Sequence, residues 1–354
     1  MSWREQETTS ALLKSIQTTC TPLAFLVHFF LIFLILEKSP KSLGAYRYLL
    51  IYISLFELLY ASLDVLVSPE LFTVGSAFML VVDANKTFLP FGTLYPILLL
   101  FCGMLGYSMA IFTISFVYRF LVVKGSHLLK SFDSPKLLIW IVSPLPYAAV
   151  WMTITAMTLK GNRYTDKMLE EHFLRGVPLS QVVYIGPNYY PTADRIDWIP
   201  IIGMAVLTMM IFASIYSIVH FAAKSYLLMN ALVSSSSCSK SSLRHRATQS
   251  QLLNALVLQA LIPFFLMHLP ASFVFIMPFF ERGEQVFATV FSVTVALYPV
   301  LDPLPTIFVV KYYRIALFEY CSRIGSFVRC SKKATAVVSD YPSSTVYHLS
   351  PSPV

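Results

Sequence analysis

Hydrophobic positions in this chain come in long unbroken blocks. Reading between charged residues gives seven of them, at about 16–36, 46–67, 92–118, 137–159, 198–223, 250–280 and 285–310. A helix of about 20 mainly apolar residues crosses the ~30 Å hydrocarbon layer of a bilayer. Membrane barrel strands are about ten residues long and strictly alternating, whereas here Leu, Phe, Ile and Met stand at consecutive positions. The pattern predicts an all-α, seven-transmembrane helix bundle over residues 16–310. Residues 1–15 precede it as an extracellular N-terminus, and 311–354 follow as a cytoplasmic tail. The first block runs directly into Glu37-Lys38-Ser39-Pro40 with no small-x-small cleavage site, so it reads as an uncleaved helix.

Composition narrows the function classes. Hydrophobic residues make up 56% of the 354 and charged residues only 12%, with a mean hydropathy of +0.68. A soluble domain carries about 25% charge, so a soluble enzyme, a disordered chain and a nucleic-acid module are all disfavoured. The 5 cysteines form no CxxC pair and no zinc spacing, and neither metal nor cofactor is expected. No catalytic nucleophile–base constellation is visible, which argues against an intramembrane enzyme.

The net charge of +8 is unevenly placed. Of the 26 Lys and Arg, seventeen fall on loops one, three, five and the tail, and nine on the opposite side. Acids sharpen the contrast to about +13 against −2, the remaining three acids lying inside helices. Basic loops stay cytoplasmic, so the N-terminus is expected outside and the basic surface faces anionic membrane lipid or an acidic partner. Asn85-Lys86-Thr87 in loop two matches a glycosylation sequon on the side this topology places outside.

Seven helices, an outer N-terminus and a basic inner face make a bundle like that of G-protein-coupled receptors. Arg119, after Tyr118, ends the third block, where a cation can be held at rest and exposed on activation, or can simply snorkel to lipid headgroups. Glu57, Asp64 and Asp302 are intramembrane acids, and Glu57 and Asp302 fall at similar depth on blocks two and seven. No Lys or Arg lies inside the bundle to pair them, so protonation, a shared cation or polar neighbours must accommodate them. Pro303 directly follows Asp302 as a candidate hinge. The competing reading is a static polar network with no switching role. Apolar Leu317, Cys321, Ile324 and Val328 at helical spacing suggest an interfacial helix in the tail, with Cys321 and Cys330 as candidate palmitoylation sites. His28, His220 and His268 form no ligand-spaced set and read as packed or hydrogen-bonded histidines. Loop four has no cysteine, so a disulfide from helix three to it cannot form, and the pairing of Cys20 and Cys102 is open.

Four sequence blocks, in order, resemble the nematode str-type seven-transmembrane chemoreceptors. They are Tyr46-Arg47-Tyr48 with Ile51 to Glu57 and Leu63-Asp64-Val65-Leu66-Val67-Ser68-Pro69, then Phe116-Val117-Tyr118-Arg119-Phe120. Gln251-Leu252, Ala255 to Gln259 and Leu261-Ile262-Pro263 come next, followed by Tyr298-Pro299 with Asp302-Pro303-Leu304-Pro305. The resemblance implies an olfactory receptor for a small odorant in the ciliary membrane of a sensory neuron, coupled to a heterotrimeric G protein. It also favours Arg119 and Asp302 as switch elements, with no ligand carried over. The alternative is a seven-helix subunit of a ligand-gated chemosensory channel. Such subunits can have an inner N-terminus, which the charge count opposes. A transporter would usually show repeats or Gly-broken helices, and neither is evident.

Overall fold

Each hydrophobic block folds into one membrane-length helix, and seven such helices form the body of the protein. They span Thr8–Lys38, Tyr46–Val67, Phe91–Lys124, Leu137–Thr158, Trp198–Ala231, Ala247–Phe280 and Gln285–Val309, and are called helices one to seven below. The structure, a computed structural model, describes residues 3–40, 43–133, 135–174, 177–192, 194–234 and 240–323. Large apolar side chains cover the outside of the bundle: Leu26 is 67% exposed, Met209 70% and Phe212 65%. Such a coat is stable against lipid and would aggregate in water.

Several helices run past their hydrophobic blocks. Helix one starts at Trp3, not residue 16, and its polar first turns lie beside the loops, where Ser10 Oγ donates to Glu70 Oε1 at 2.9 Å. Hydropathy marks only the lipid-buried length, and a polar helical extension is invisible to it. Helix three continues to Lys124 and stops at Gly125, whose φ of 64° lets its N–H reach back to the Leu121 and Val122 carbonyls. Residues 311–323 form a further helix at the inner end.

A small sheet, absent from the hydropathy pattern, roofs the outer end. Strands β1 (Glu70–Val74) and β2 (Ala77–Asp83) form a hairpin in loop two, and β3 (Val182–Ile185) from loop four adds antiparallel to β2. Gly75 takes a φ of 54° in the two-residue turn, a conformation that costs glycine little. The same residue exchanges backbone hydrogen bonds with Gly283 of loop six, at 3.0 and 2.8 Å. Gln285, opening helix seven, acts as an extra strand: its Oε1 accepts from Thr73 N–H and its Nε2 donates to the Leu71 carbonyl. Loops two, four and six are thus joined by peptide hydrogen bonds, where a disulfide is ruled out by the absence of cysteine from loop four. The roof is further locked by Tyr184, which donates to Asp166; burial and that carboxylate raise its phenol pKa.

Gly186 is where this roof is least forgiving. A Cβ there would sit 2.1 Å from the Phe78 carbonyl oxygen and 2.6 Å from Met79 Cα, both backbone. Gly186→Ala is therefore expected to cost about 1–3 kcal/mol of overpacking and to lower the melting temperature of the purified protein. Gly92→Ala, which meets open space, serves as the silent control. Equal melting temperatures for the two variants would show that the roof adapts.

The two largest apolar clusters of the interior have a polar layer between them. The outer cluster includes Leu98, Phe101, Trp151 and Met267, and the inner one Leu34, Leu49, Leu252 and Ile307. On helix six the change falls at Gln259, and on helix seven at Asp302.

Candidate functional site

Beneath the sheet lies a cavity of about 80 Å³. Phe78 and Ile185 descend from the roof, while Tyr60, Phe101, Trp151, Met204 and Phe275 come from five helices. No charged side chain lines it, the composition of a site for a small neutral molecule. A wider depression of about 570 Å³ lies between helix one and the sheet. Its central acid, Glu70, is already taken by Ser10 and by Lys86 at 2.6 Å, so the dry cavity is the stronger candidate.

The floor of the cavity leads into the polar layer. Tyr60 lines the cavity, and its ring meets that of Tyr298 edge-on at 6.1 Å. Tyr298 donates its hydroxyl to Glu57 Oε1 at 3.1 Å. His28 Nε2 lies 3.0 Å from Glu57 Oε2 and 2.8 Å from the Pro299 carbonyl oxygen. That nitrogen carries at most one hydrogen, so it serves the carboxylate or the carbonyl, not both fully. Asp302 adjoins Glu57 and accepts from Gln259 Nε2 at 3.2 Å. All five side chains are buried. Helices one, two, six and seven therefore meet here through polar groups, and Glu57 and Asp302 do share one site. Helix seven breaks at the same point, its two segments being Gln285–Leu301 and Pro303–Val309. Pro303 has no N–H to continue the ladder.

Two placements go beyond those read in the sequence. Asp64 does not join Glu57, although both lie on the buried face of helix two. It accepts instead from Gln17 Nε2 of helix one at 3.2 Å, because a separation of seven residues puts it about 10 Å farther out. His28, read as a packed or hydrogen-bonded histidine, is hydrogen-bonded and a full member of the polar layer. The available signal was that the buried acids needed a hydrogen-bonding partner and that no Lys or Arg was present inside the bundle.

Arg119 does not snorkel. It is 1% exposed, its guanidinium stacks 3.3 Å above the Tyr46 ring, and Nη1 donates to Gln249 Oε1 of helix six at 2.9 Å. Nε and Nη2 have no hydrogen-bond partner among the described residues. Tyr118 stacks on Tyr46 at 5.7 Å, meets Phe132 of loop three edge-on and reaches the Leu43 carbonyl of loop one. The inner ends of helices two, three and six are thus tied around one buried cation.

With this geometry in place, comparison with known proteins is informative. Residues 13–318 match the family model described as serpentine type 7TM GPCR chemoreceptor Str. The chain belongs to this family. Its similarity to the G-protein coupled receptor str-217 of Caenorhabditis elegans is 34% identity over 310 residues, 87% of this chain and 89% of the relative. The serpentine receptor class r-10 of the same nematode is 27% identical over 315 residues, covering 87% and 91%. The G-protein coupled receptor str-33 is 24% identical over 319 residues, covering 87% and 91%.

The family is one of multi-pass membrane receptors, not enzymes. In this Str member the matched region extends through most of the inner helix 311–323. That helix buries Tyr313 and Ala316, with Leu317 and Tyr320 partly covered. Burial pushes the Tyr313 phenol up to about 12, and its hydroxyl pairs with Ser39 Oγ at 2.7 Å. Leu317 is partly covered, and Tyr313 and Tyr320 extend the packing toward the end of helix one. Cys321 is consequently exposed and free. Ile324, Val328 and Cys330 lie outside the described residues. Cys20 and Cys102 are free thiols within helices one and three. Asn85 is exposed on the turn after β2, its amide donating to Asp83 and Gln181.

Proposed function

We propose that this Str-family protein is an olfactory receptor of a ciliary sensory membrane. It binds a small neutral molecule in the outer cavity and activates a heterotrimeric G protein at its basic inner face. One observation carries the reading: polar and aromatic contacts run from the cavity to Gln259 of helix six, the same helix whose inner end holds Arg119. Cavity-lining Tyr60 touches Tyr298, Tyr298 bonds Glu57, Glu57 adjoins Asp302, and Asp302 bonds Gln259 of helix six. Ten residues further along helix six, Gln249 holds Arg119. A ligand that moves Tyr60 thereby biases the segment of helix six that buries the cation. The single hydrogen on His28 Nε2, placed between carboxylate and carbonyl, supplies two arrangements of nearly equal geometry. A ligand preferring one of them by a few kcal/mol is enough to shift the population. Exposed Cys321, at the inner membrane surface, suits palmitoylation.

The first test is orientation. Protease added to intact cells should remove an N-terminal epitope tag and spare a C-terminal one, and Asn85→Gln should abolish a glycosidase-sensitive mass shift. The opposite tag pattern would overturn the receptor reading and favour the channel alternative. An odorant screen with a calcium readout in cells supplying a G protein then tests coupling itself.

A further inference from the structure

The roofed end of the bundle carries two cations brought together without an acid. Arg163 opens a short helix, Arg163–Leu169, soon after helix four, and Arg195 closes a turn onto the Thr192 carbonyl just before helix five. Arg163 Nη2 donates to the Tyr164 hydroxyl at 2.9 Å, and Arg195 Nη1 donates to the same oxygen at 3.1 Å. Both guanidiniums also stand over the Tyr164 ring, 4.8 and 5.1 Å from its centre. The hydrogen bond from Arg163, with the charge of both arginines, holds this phenol below its usual pKa. Asp166, Asp194 and Asp197 are near in sequence, yet neither arginine forms an ion pair among the described residues. Asp166 accepts from Tyr184 instead. Two like charges that converge on one neutral acceptor repel each other, so the arrangement calls for an anion. Its setting is the membrane surface. Helix four ends at Thr158 and helix five begins at Trp198. Ile196, Trp198 and Ile199, directly after Arg195, are 46%, 61% and 62% exposed. An exposed tryptophan at the end of a membrane helix belongs to the belt between hydrocarbon and water. An arginine three positions from it falls in the headgroup layer, about 5–7 Å thick on each side of the hydrocarbon.

We propose that Arg163 and Arg195, spaced by Tyr164, clamp the phosphate of a phospholipid in the leaflet at the roofed end. Planar guanidinium forks match phosphate oxygens, and the shared phenol holds the two forks at one point. The occupant is a lipid rather than a soluble phosphate, because the exposed Ile196, Trp198 and Ile199 beside the clamp offer a surface for acyl chains. The three aspartates close in sequence favour a zwitterionic headgroup over a multiply charged one. A bound phosphate also reaches the roof. The helix that carries Tyr164 is capped by Asn162, and its Thr165 and Asp166 both bond Tyr184 of β3. The clamp therefore ties the sheet above the cavity to the bilayer. It requires only the membrane-spanning bundle and is independent of the receptor reading above.

The test uses the purified full-length chain in maltoside micelles and three probes. Dioleoylphosphatidylcholine is the lipid, dioleoylglycerol has the same tails without phosphate, and glycerophosphocholine is the headgroup without tails. Apparent affinity is read from the shift in melting temperature with probe concentration, and lipid adducts are counted by native mass spectrometry. The phospholipid should bind the wild type at least tenfold more tightly than either other probe, as charge-assisted hydrogen bonds imply. Replacing both arginines, Arg163→Gln with Arg195→Gln, should erase that preference, and each single change should remove part of it. Lys167→Gln, an exposed charge on the same short helix, should leave it intact. Lipid bound elsewhere on the bundle is common to all variants, so the difference between them reads the clamp. Both arginines are exposed, so the double variant without lipid should melt where the wild type does. An unchanged preference in the single and double arginine variants would overturn the proposal. So would dioleoylglycerol binding as tightly as the phospholipid, or glycerophosphocholine doing so, the latter pointing to a soluble phosphate ester as the ligand.

Discussion

Arg119→Ala is expected to leave the receptor at the cell surface and to reduce its agonist response by tenfold or more per surface receptor. The guanidinium is buried between the Tyr46 ring and Gln249, with two nitrogens unpaired among the described residues. A buried cation with spare donors is poised for an acceptor that arrives when helix six moves, and on the proposed reading the G protein supplies one. Removing the side chain removes that docking group outright. Gln249→Ala is the informative companion, since it cuts the tie between helices three and six but keeps the cation. A hydrogen bond to a charged group contributes about 1.5–3 kcal/mol, so its loss should raise agonist-independent signalling by about tenfold or more. Signalling normalised to surface receptor number measures both. A normal response in Arg119→Ala, with no rise in Gln249→Ala, would reduce this cluster to packing.

The second large effect belongs to the polar layer. Glu57→Ala should strand the Tyr298 hydroxyl and leave His28 Nε2 only the Pro299 carbonyl, in a site sealed from water. The stranded hydroxyl costs about 1–3 kcal/mol and the space the carboxylate leaves adds a cavity cost, together enough to prevent most of the protein from reaching the surface. Asp302→Asn removes charge and keeps shape, and its amide can still pair with Gln259. That variant should reach the surface in near-normal amounts while its agonist sensitivity shifts, because charge on Asp302 biases the choice open to His28. Surface labelling separates the two variants, and dose–response curves read the second. If Glu57→Ala is expressed normally, the cluster does not hold the fold. If Asp302→Asn responds like the wild type, it does not set the balance between arrangements.

The inner site was more legible in the sequence than the outer one. Arg119 was visible because a charge at the end of an apolar block is conspicuous, and Glu57 and Asp302 because hydrocarbon makes any acid inside a block costly. His28 reads from the sequence only as packed or hydrogen-bonded, because a neutral imidazole is cheap enough to bury for packing alone and its identity names no partner. The strands were missed because Leu71, Phe72, Phe78, Met79 and Val81 read as hydrophobic fragments between helices. Five-residue runs without a partner give no period strong enough to separate strand from loop. Asp64 shares the buried face of helix two with Glu57 but lies about 10 Å farther out, and only the structure shows that Gln17 of helix one meets it there.

By itself the sequence determined seven helices, their lipid-facing character and the asymmetry of charge between the two ends. Each of these follows from transfer of local segments between water and hydrocarbon, which depends on composition over about 20 residues. Only the tertiary structure decided which polar groups meet: His28 with Glu57, Arg119 with Gln249, and the sheet with Gly283. Those pairings join residues up to hundreds of positions apart, and they are set by how helix faces rotate against one another. That rotation is chosen by the fit of the whole apolar interior, and no single segment encodes it.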